Sequence, residues 1–310
     1  MVTLPRRDAL LLFAAAAAGC RRGERAPEVG RVRERRLAGL TLHTVELGAR
    51  VAPVRYAIHG GPGLDHTYLR PWLDGLARDA ALVYVDLRGH GRSSPPPDGD
   101  GYTLAGAADD LAALAAARGD PPVDVIAHDF GAAVALALAV RHPAAVRRLV
   151  LVSPLRDAAQ VRAVAERSRA ALGNDGWRRV LALTTAQGTL RDPRSLPELF
   201  RGLGPMWWHR PPSDAVIEGM ARRMVYRSES DAGFLQALRR WDGRMAAAEV
   251  RCPVRVVAGA SDRTFLPGES RALADALPHG SFEQVGAAGH LPFIEQSAAF
   301  LRAVEGFLRA

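Results

Sequence analysis

The chain has 310 residues, 48% hydrophobic and 24% charged, an ordinary balance for a globular protein with one large core and room for an insertion. Its formal net charge of +8 is carried by 41 arginines and no lysine, and residues 1–37 alone hold nine arginines against four acids. The remainder is close to neutral, which excludes a broad nucleic-acid surface, and arginine used to the exclusion of lysine beside abundant alanine points to the coding bias of a GC-rich genome.

Residues 1–19 read as an export signal. Arg6 and Arg7 precede an apolar run, Ala9 to Ala18, that ends at Gly19-Cys20. That run falls short of the roughly 20 apolar residues needed to span a bilayer. Ala17-Ala18-Gly19-Cys20 resembles a bacterial lipobox, and Arg6-Arg7-Asp8-Ala9-Leu10 a twin-arginine motif. The expectation is an exported, membrane-anchored lipoprotein with Cys20 lipidated and residues 20–31 as a polar tether. With Cys20 lipidated, the remaining cysteine, Cys252, has no disulfide partner and reads as a core residue.

Beyond the tether, β-branched and apolar runs predict strands at Val32–Arg36, Thr41–Leu47, Val54–Ile58, Ala81–Val85, Val123–Ala127, Leu149–Val152, Val254–Ala258 and Ser281–Val285. Helical periods lie between them at Leu104–Arg118, Gly131–Val140, Ser270–Leu277 and Phe293–Leu308. The alternation predicts an α/β fold, a mostly parallel eight-stranded sheet with helices on both faces. It breaks over 155–249, where only helical periods occur: Val161–Leu172, Trp177–Ala186, Ala215–Met224 and Gly233–Arg244. Residues 32–154 and 250–310 are therefore read as the core, and 155–249 as a helical cap over the sheet edge where ligands bind in such folds.

The chemistry begins at Val123-Asp124-Val125-Ile126-Ala127-His128-Asp129-Phe130-Gly131. An apolar strand runs into a small residue, a nucleophile candidate and a glycine before an alanine-rich helix, the form of a nucleophile elbow. Small residues at Ala127 and Gly131 suit a turn in which Cβ atoms crowd the backbone. With this segment the chain resembles the α/β-hydrolase fold superfamily over about residues 32–310. The resemblance extends to Ala258-Gly259-Ala260-Ser261-Asp262, to Gly286-Ala287-Ala288-Gly289-His290-Leu291-Pro292, to His59-Gly60-Gly61-Pro62-Gly63 and to Asp86-Leu87-Arg88-Gly89-His90-Gly91-Arg92-Ser93. It implies a catalytic set of Asp129, His290 and Asp262, with Gly61 and Phe130 supplying an oxyanion hole. His59, His90 and His128 read as packing residues, His128 pointing away from the nucleophile.

An aspartate at the elbow changes the chemistry. A carboxylate with a reference pKa near 3.9 is ionised at neutral pH and needs no base to attack. Attack on an ester carbonyl would give a mixed anhydride, whereas attack on a saturated carbon gives an alkyl ester that a histidine-activated water then hydrolyses. The Asp-nucleophile branch of the superfamily includes epoxide hydrolases and dehalogenases, and His-Asp-Phe-Gly is more similar to the former. The oxyanion loop also resembles that of proline iminopeptidases, which use a serine. Epoxide hydrolases polarise the ring oxygen with two cap tyrosines; this cap holds only Tyr226. Trp207-Trp208-His209 offers N–H donors that suit a halide as well as aromatic packing. The expected reaction is hydrolysis of an epoxide, with a small haloalkane or haloacid as the alternative substrate and a non-catalytic small-molecule binder as the alternative class. The expected partners are a small apolar electrophile, water and a membrane through the N-terminal lipid. With no Walker loop, H-E-x-x-H or cysteine cluster, no metal or other cofactor is expected.

Overall fold

In the computed structural model, residues 30–37, 39–49, 53–99 and 101–310 are described. The expected export signal, Cys20 and most of the expected tether lie outside them. The eight expected strands form: β1 (Arg31–Leu37), β2 (Leu40–Leu47), β3 (Val54–Ile58), β4 (Ala81–Val85), β5 (Val123–His128), β6 (Val146–Val152), β7 (Val254–Gly259) and β8 (Gly280–Val285). They build one sheet in the order β1-β2-β4-β3-β5-β6-β7-β8. β2 pairs antiparallel with β1 and β4, and every other pairing is parallel. Strands β3, β4 and β5 are buried along their whole length and largely apolar, and the charged residues within them, Arg55 and Asp124, are paired with Asp79 and Arg147.

Helices α1 (Leu104–Arg118) and α2 (Phe130–Arg141) sit close to their expected bounds. α1 is capped by the Thr103 side chain at its start and by left-handed Gly119 at its end. α2 is buried from Phe130 to Ala139, and its small side chains let it lie directly against the sheet. Two apolar clusters cover the two faces of the sheet. One gathers α1, α2 and Phe234 around Tyr56, Val125 and Leu151; the other gathers Tyr68, Trp208, Phe293 and Phe300 around Ala57, Ile126 and Val150.

Between β6 and β7 lie α3 (Ala158–Leu183), α4 (Leu196–Gly202), α5 (Gly204–Trp207), α6 (Asp214–Ala221), α7 (Ser228–Leu238) and α8 (Gly243–Glu249). Two of the expected helical spans merge in α3, which kinks at Gly173, where φ is 65°. The span expected at Gly233–Arg244 divides into α7 and α8. The last part of the chain holds α9 (Pro267–Ala276), α10 (Pro292–Glu295) and α11 (Ser297–Arg309). The single helix expected at Phe293–Leu308 is broken at Gln296, whose backbone leaves the helical region with ψ 49°. Among the described residues no helix is long and apolar enough to cross a membrane.

Candidate active site

Loops at the carboxyl ends of β3, β5, β7 and β8 converge on one place. Asp129 follows β5 with φ 54° and ψ −120°, a conformation that L-residues adopt only where the surroundings force it. The tightness is visible at the flanking glycine: a Cβ on Gly131 would stand 2.4 Å from the His59 carbonyl oxygen. The turn brings the Asp129 carboxylate to the β3 loop, where Oδ2 accepts the Gly61 N–H at 2.9 Å. Gly60 packs equally close, since a Cβ there would lie 2.7 Å from that same oxygen.

His290 is buried, and its Nδ1 lies 3.0 Å from Asp262 Oδ2. The other oxygen, Oδ1, accepts the N–H groups of Thr264 at 2.9 Å and Phe265 at 3.1 Å, which fixes the carboxylate plane. An ionised carboxylate only accepts, so Nδ1 carries the proton and the other ring nitrogen is left as a base. Asp129, His290 and His128 bring ligand atoms within 4.8 Å of one another. Burial pushes the Asp129 carboxyl up to about 6, against the pull of the His290 charge and the N–H groups of Gly61 and Phe130. Burial opposes charge on His290, but Asp262 and then Asp129 outweigh it, and its pKa lies above the ordinary value.

His128 does not point away from Asp129 as expected from an elbow at this position. Asp129 has left the strand through its positive φ, so the period of two ends at His128 and both side chains lie on the same side. His59 and His90 are packing residues: His59 Nε2 accepts the Leu87 N–H at 3.2 Å, and His90 is buried against Phe130 and Phe234. Cys252 is partly buried and precedes β7.

The cap residues occupy different settings. The Tyr226 ring lies over Gly63, but its hydroxyl donates to Asp231 and accepts the Leu190 N–H at 2.9 Å. Burial pushes Asp231 up to about 7. Trp207 accepts the His290 N–H on its carbonyl at 2.7 Å and stacks its ring over the imidazole at 6.4 Å. Trp208 is buried, and its indole N–H has no hydrogen-bond partner among the described residues. His209 is exposed, with Nδ1 2.8 Å from Ser261 Oγ. Sequence reasoning missed Tyr68, whose hydroxyl bonds Gly60 and His128, and Glu295, which binds three backbone N–H groups around the His290 loop. Neither belongs to a motif; position alone, seven residues after Gly61 and five after His290, was the available signal.

Residues 56–297 match the family described as alpha/beta hydrolase fold. The chain belongs to that family. It is an α/β-fold hydrolase, and its relatives span several activities. It is 29% identical over 261 residues to the pimeloyl-[acyl-carrier protein] methyl ester esterase of Chromobacterium violaceum, covering 79% of this chain and 94% of the relative. Among solved structures, a hydrolase from Pseudomonas aeruginosa PA01 superposes with a TM-score of 0.71 at 27% identity, covering 91% of this chain and all of the other. A proline iminopeptidase-related protein from Thermus thermophilus gives a TM-score of 0.70 at 24% identity over 89% and 97% of the two chains, a likeness of fold.

Proposed function

We propose that this hydrolase forms a covalent alkyl ester on Asp129 and releases it with a water activated by His290, and that its substrate is an epoxide opened to a diol. The observation that carries the reading is the seat of the Asp129 carboxylate, with Oδ2 held by the Gly61 N–H. That oxygen becomes the ester carbonyl while its partner attacks carbon and the strained ring C–O bond breaks, the ring oxygen leaving as an alkoxide that takes a proton from water and becomes the first hydroxyl of the diol. When water adds to the ester, the developing oxyanion is already in contact with the Gly61 and Phe130 N–H groups. His290, oriented by Asp262, takes the proton from that water. Asp129 needs no base in the first step, so the imidazole is reserved for the second.

Similarity to an esterase favours an acyl substrate, but a carboxylate attacking an acyl carbon would be left as a mixed anhydride, itself an activated acyl group. Strained or halogenated saturated carbon suits the elbow better. One observation favours the halogen alternative: the indole N–H of buried Trp208, which has no partner among the described residues, is a donor of the kind that holds a departing halide. A binder without turnover has less support, because nucleophile, histidine and acid are all present and in reach. We also propose export and anchoring through Cys20, on the signal-like segment before it.

The test is His290→Gln incubated with a panel of aryl epoxides and haloacids, followed by mass analysis of the digested protein. Ester formation is expected to survive and hydrolysis to stall, leaving the alkyl mass on Asp129. Which compound leaves the mass decides between epoxide and halide. Turnover by the wild type with neither adduct on Asp129 nor ¹⁸O entering its carboxylate from labelled water sinks the proposal.

A further inference from the structure

The carboxylate of Glu295 gathers backbone N–H groups from two separate parts of the chain. Oε2 accepts from Gly289 at 2.6 Å and from His209 at 3.3 Å, and Oε1 accepts from Arg210 at 2.8 Å. No cation pairs with it among the described residues, so its charge is spent on the backbone, where such bonds are stronger than neutral ones. Gly289 belongs to the loop carrying His290; His209 and Arg210 belong to the cap.

The cap segment so held, residues 206–210, is a strap across both loops that carry the histidine and its acid. The Trp207 carbonyl takes the His290 N–H, the Met206 carbonyl takes the Arg263 N–H at 3.2 Å, and His209 Nδ1 meets Ser261 Oγ. The strap lies so close that a Cβ on Gly289 would stand 2.2 Å from the Trp207 carbonyl oxygen. It also brings the Trp207 ring over the imidazole. The helix that carries the latch, α10, stops at Gln296 immediately after Glu295.

We infer that Glu295 is a positioning residue, a latch that fastens the cap strap, residues 206–210, to the His290 loop so that cap and imidazole are set in one step. Its carboxylate touches no reacting atom. Releasing it frees the strap from the loop, and the bonds made by Met206 and Trp207, which do not involve Glu295, loosen with it. The latch itself stands apart from the reaction proposed above; only its kinetic consequence rests on that reading, because only the second half-reaction uses His290 as base.

The test is amide hydrogen exchange on full-length Glu295→Gln and wild type, with no substrate present. The amides of Gly289, His209 and Arg210 lose their acceptor and exchange faster. The latch further requires the amides of His290 and Arg263, bonded to the strap and not to Glu295, to speed up together by roughly tenfold or more. If those two keep wild-type rates while the three direct partners speed up, Glu295 makes local bonds only and the inference is overturned. Should glutamine prevent folding, Glu295→Asp keeps the charge and shortens the reach, and the same two amides decide. With an epoxide that labels Asp129, Glu295→Gln is expected to slow decay of the ester about tenfold and to leave its formation within about twofold, the scale of a displaced general base. Equal slowing of both steps, or of neither, overturns the assignment to His290. Absence of any ester overturns the reaction and leaves the exchange result to judge the latch.

Discussion

His128 Nε2 lies 3.0 Å from the main-chain carbonyl oxygen of His290. A carbonyl only accepts, so Nε2 carries the proton. Burial, then the neighbouring His290 charge, holds the ring's pKa well below its usual value, and the ring is neutral. Nδ1 is therefore bare and accepts the Tyr68 hydroxyl at 2.7 Å, while the Tyr68 oxygen accepts the Gly60 N–H at 2.6 Å. This run of bonds joins the loop after β3 to the loop after β8, beneath the Asp129 carboxylate.

Tyr68→Phe removes the acceptor of one buried N–H and the donor to one buried ring nitrogen. The expected loss is about 1–3 kcal/mol of stability for the groups left unsatisfied, measured by urea denaturation. An unchanged midpoint and slope would mean that the phenol hydroxyl holds nothing in place.

In the proposed reaction ester formation needs Asp129 ionised, so its rate is expected to fall as pH drops through about 6, where burial has pushed that carboxyl. Ester decay needs His290 neutral. Esterification removes the Asp129 charge that helps raise His290, so the imidazole that limits decay titrates below its value in the resting enzyme. Separate acid limbs for the two steps in single-turnover kinetics check this; one shared limb contradicts it. The same shift has a stability consequence. With the folded pKa raised to about 6 over an ordinary 3.8, the folded state holds the proton more tightly, and stability is lost as pH rises from about 4 to 6. Asp129→Asn should therefore be more stable than wild type by about 1–3 kcal/mol above pH 6, with the difference vanishing near pH 4.

Tyr226→Phe orphans the Leu190 N–H and removes the hydroxyl's hydrogen bond to the Asp231 carboxyl. A loss of about 1–3 kcal/mol is expected in denaturation. A fall of about 10²-fold in epoxide turnover with the fold intact would instead assign the hydroxyl to the ring oxygen, which requires it to leave Asp231 in the complex.

Cys20→Ala should release the protein from bacterial membranes or leave it unprocessed, because stable anchoring takes more than one acyl chain on the cysteine. Wild-type protein recovered from the cytosol with Met1 intact would remove both export and lipid.

The sequence by itself determined the order of strands and helices, the helical insertion and the elbow at Asp129. These are local properties: apolar periodicity depends on neighbouring residues, and a strained turn admits only small flanks such as Ala127 and Gly131. Asp262 and His290 could be singled out for the same reason, each lying in the loop that follows a strand at the sheet's carboxyl edge. Only the tertiary structure decided which way His128 faces, because the direction of a side chain beside a turn depends on the positive φ that Asp129 adopts there. It alone decided that Tyr226 spends its hydroxyl on Asp231, a partner buried on α7. It alone revealed Tyr68 and Glu295, whose work is to bond backbone N–H groups. Every residue but proline offers that donor, so such a partnership leaves no pattern in the sequence and exists only once the loops have been brought together.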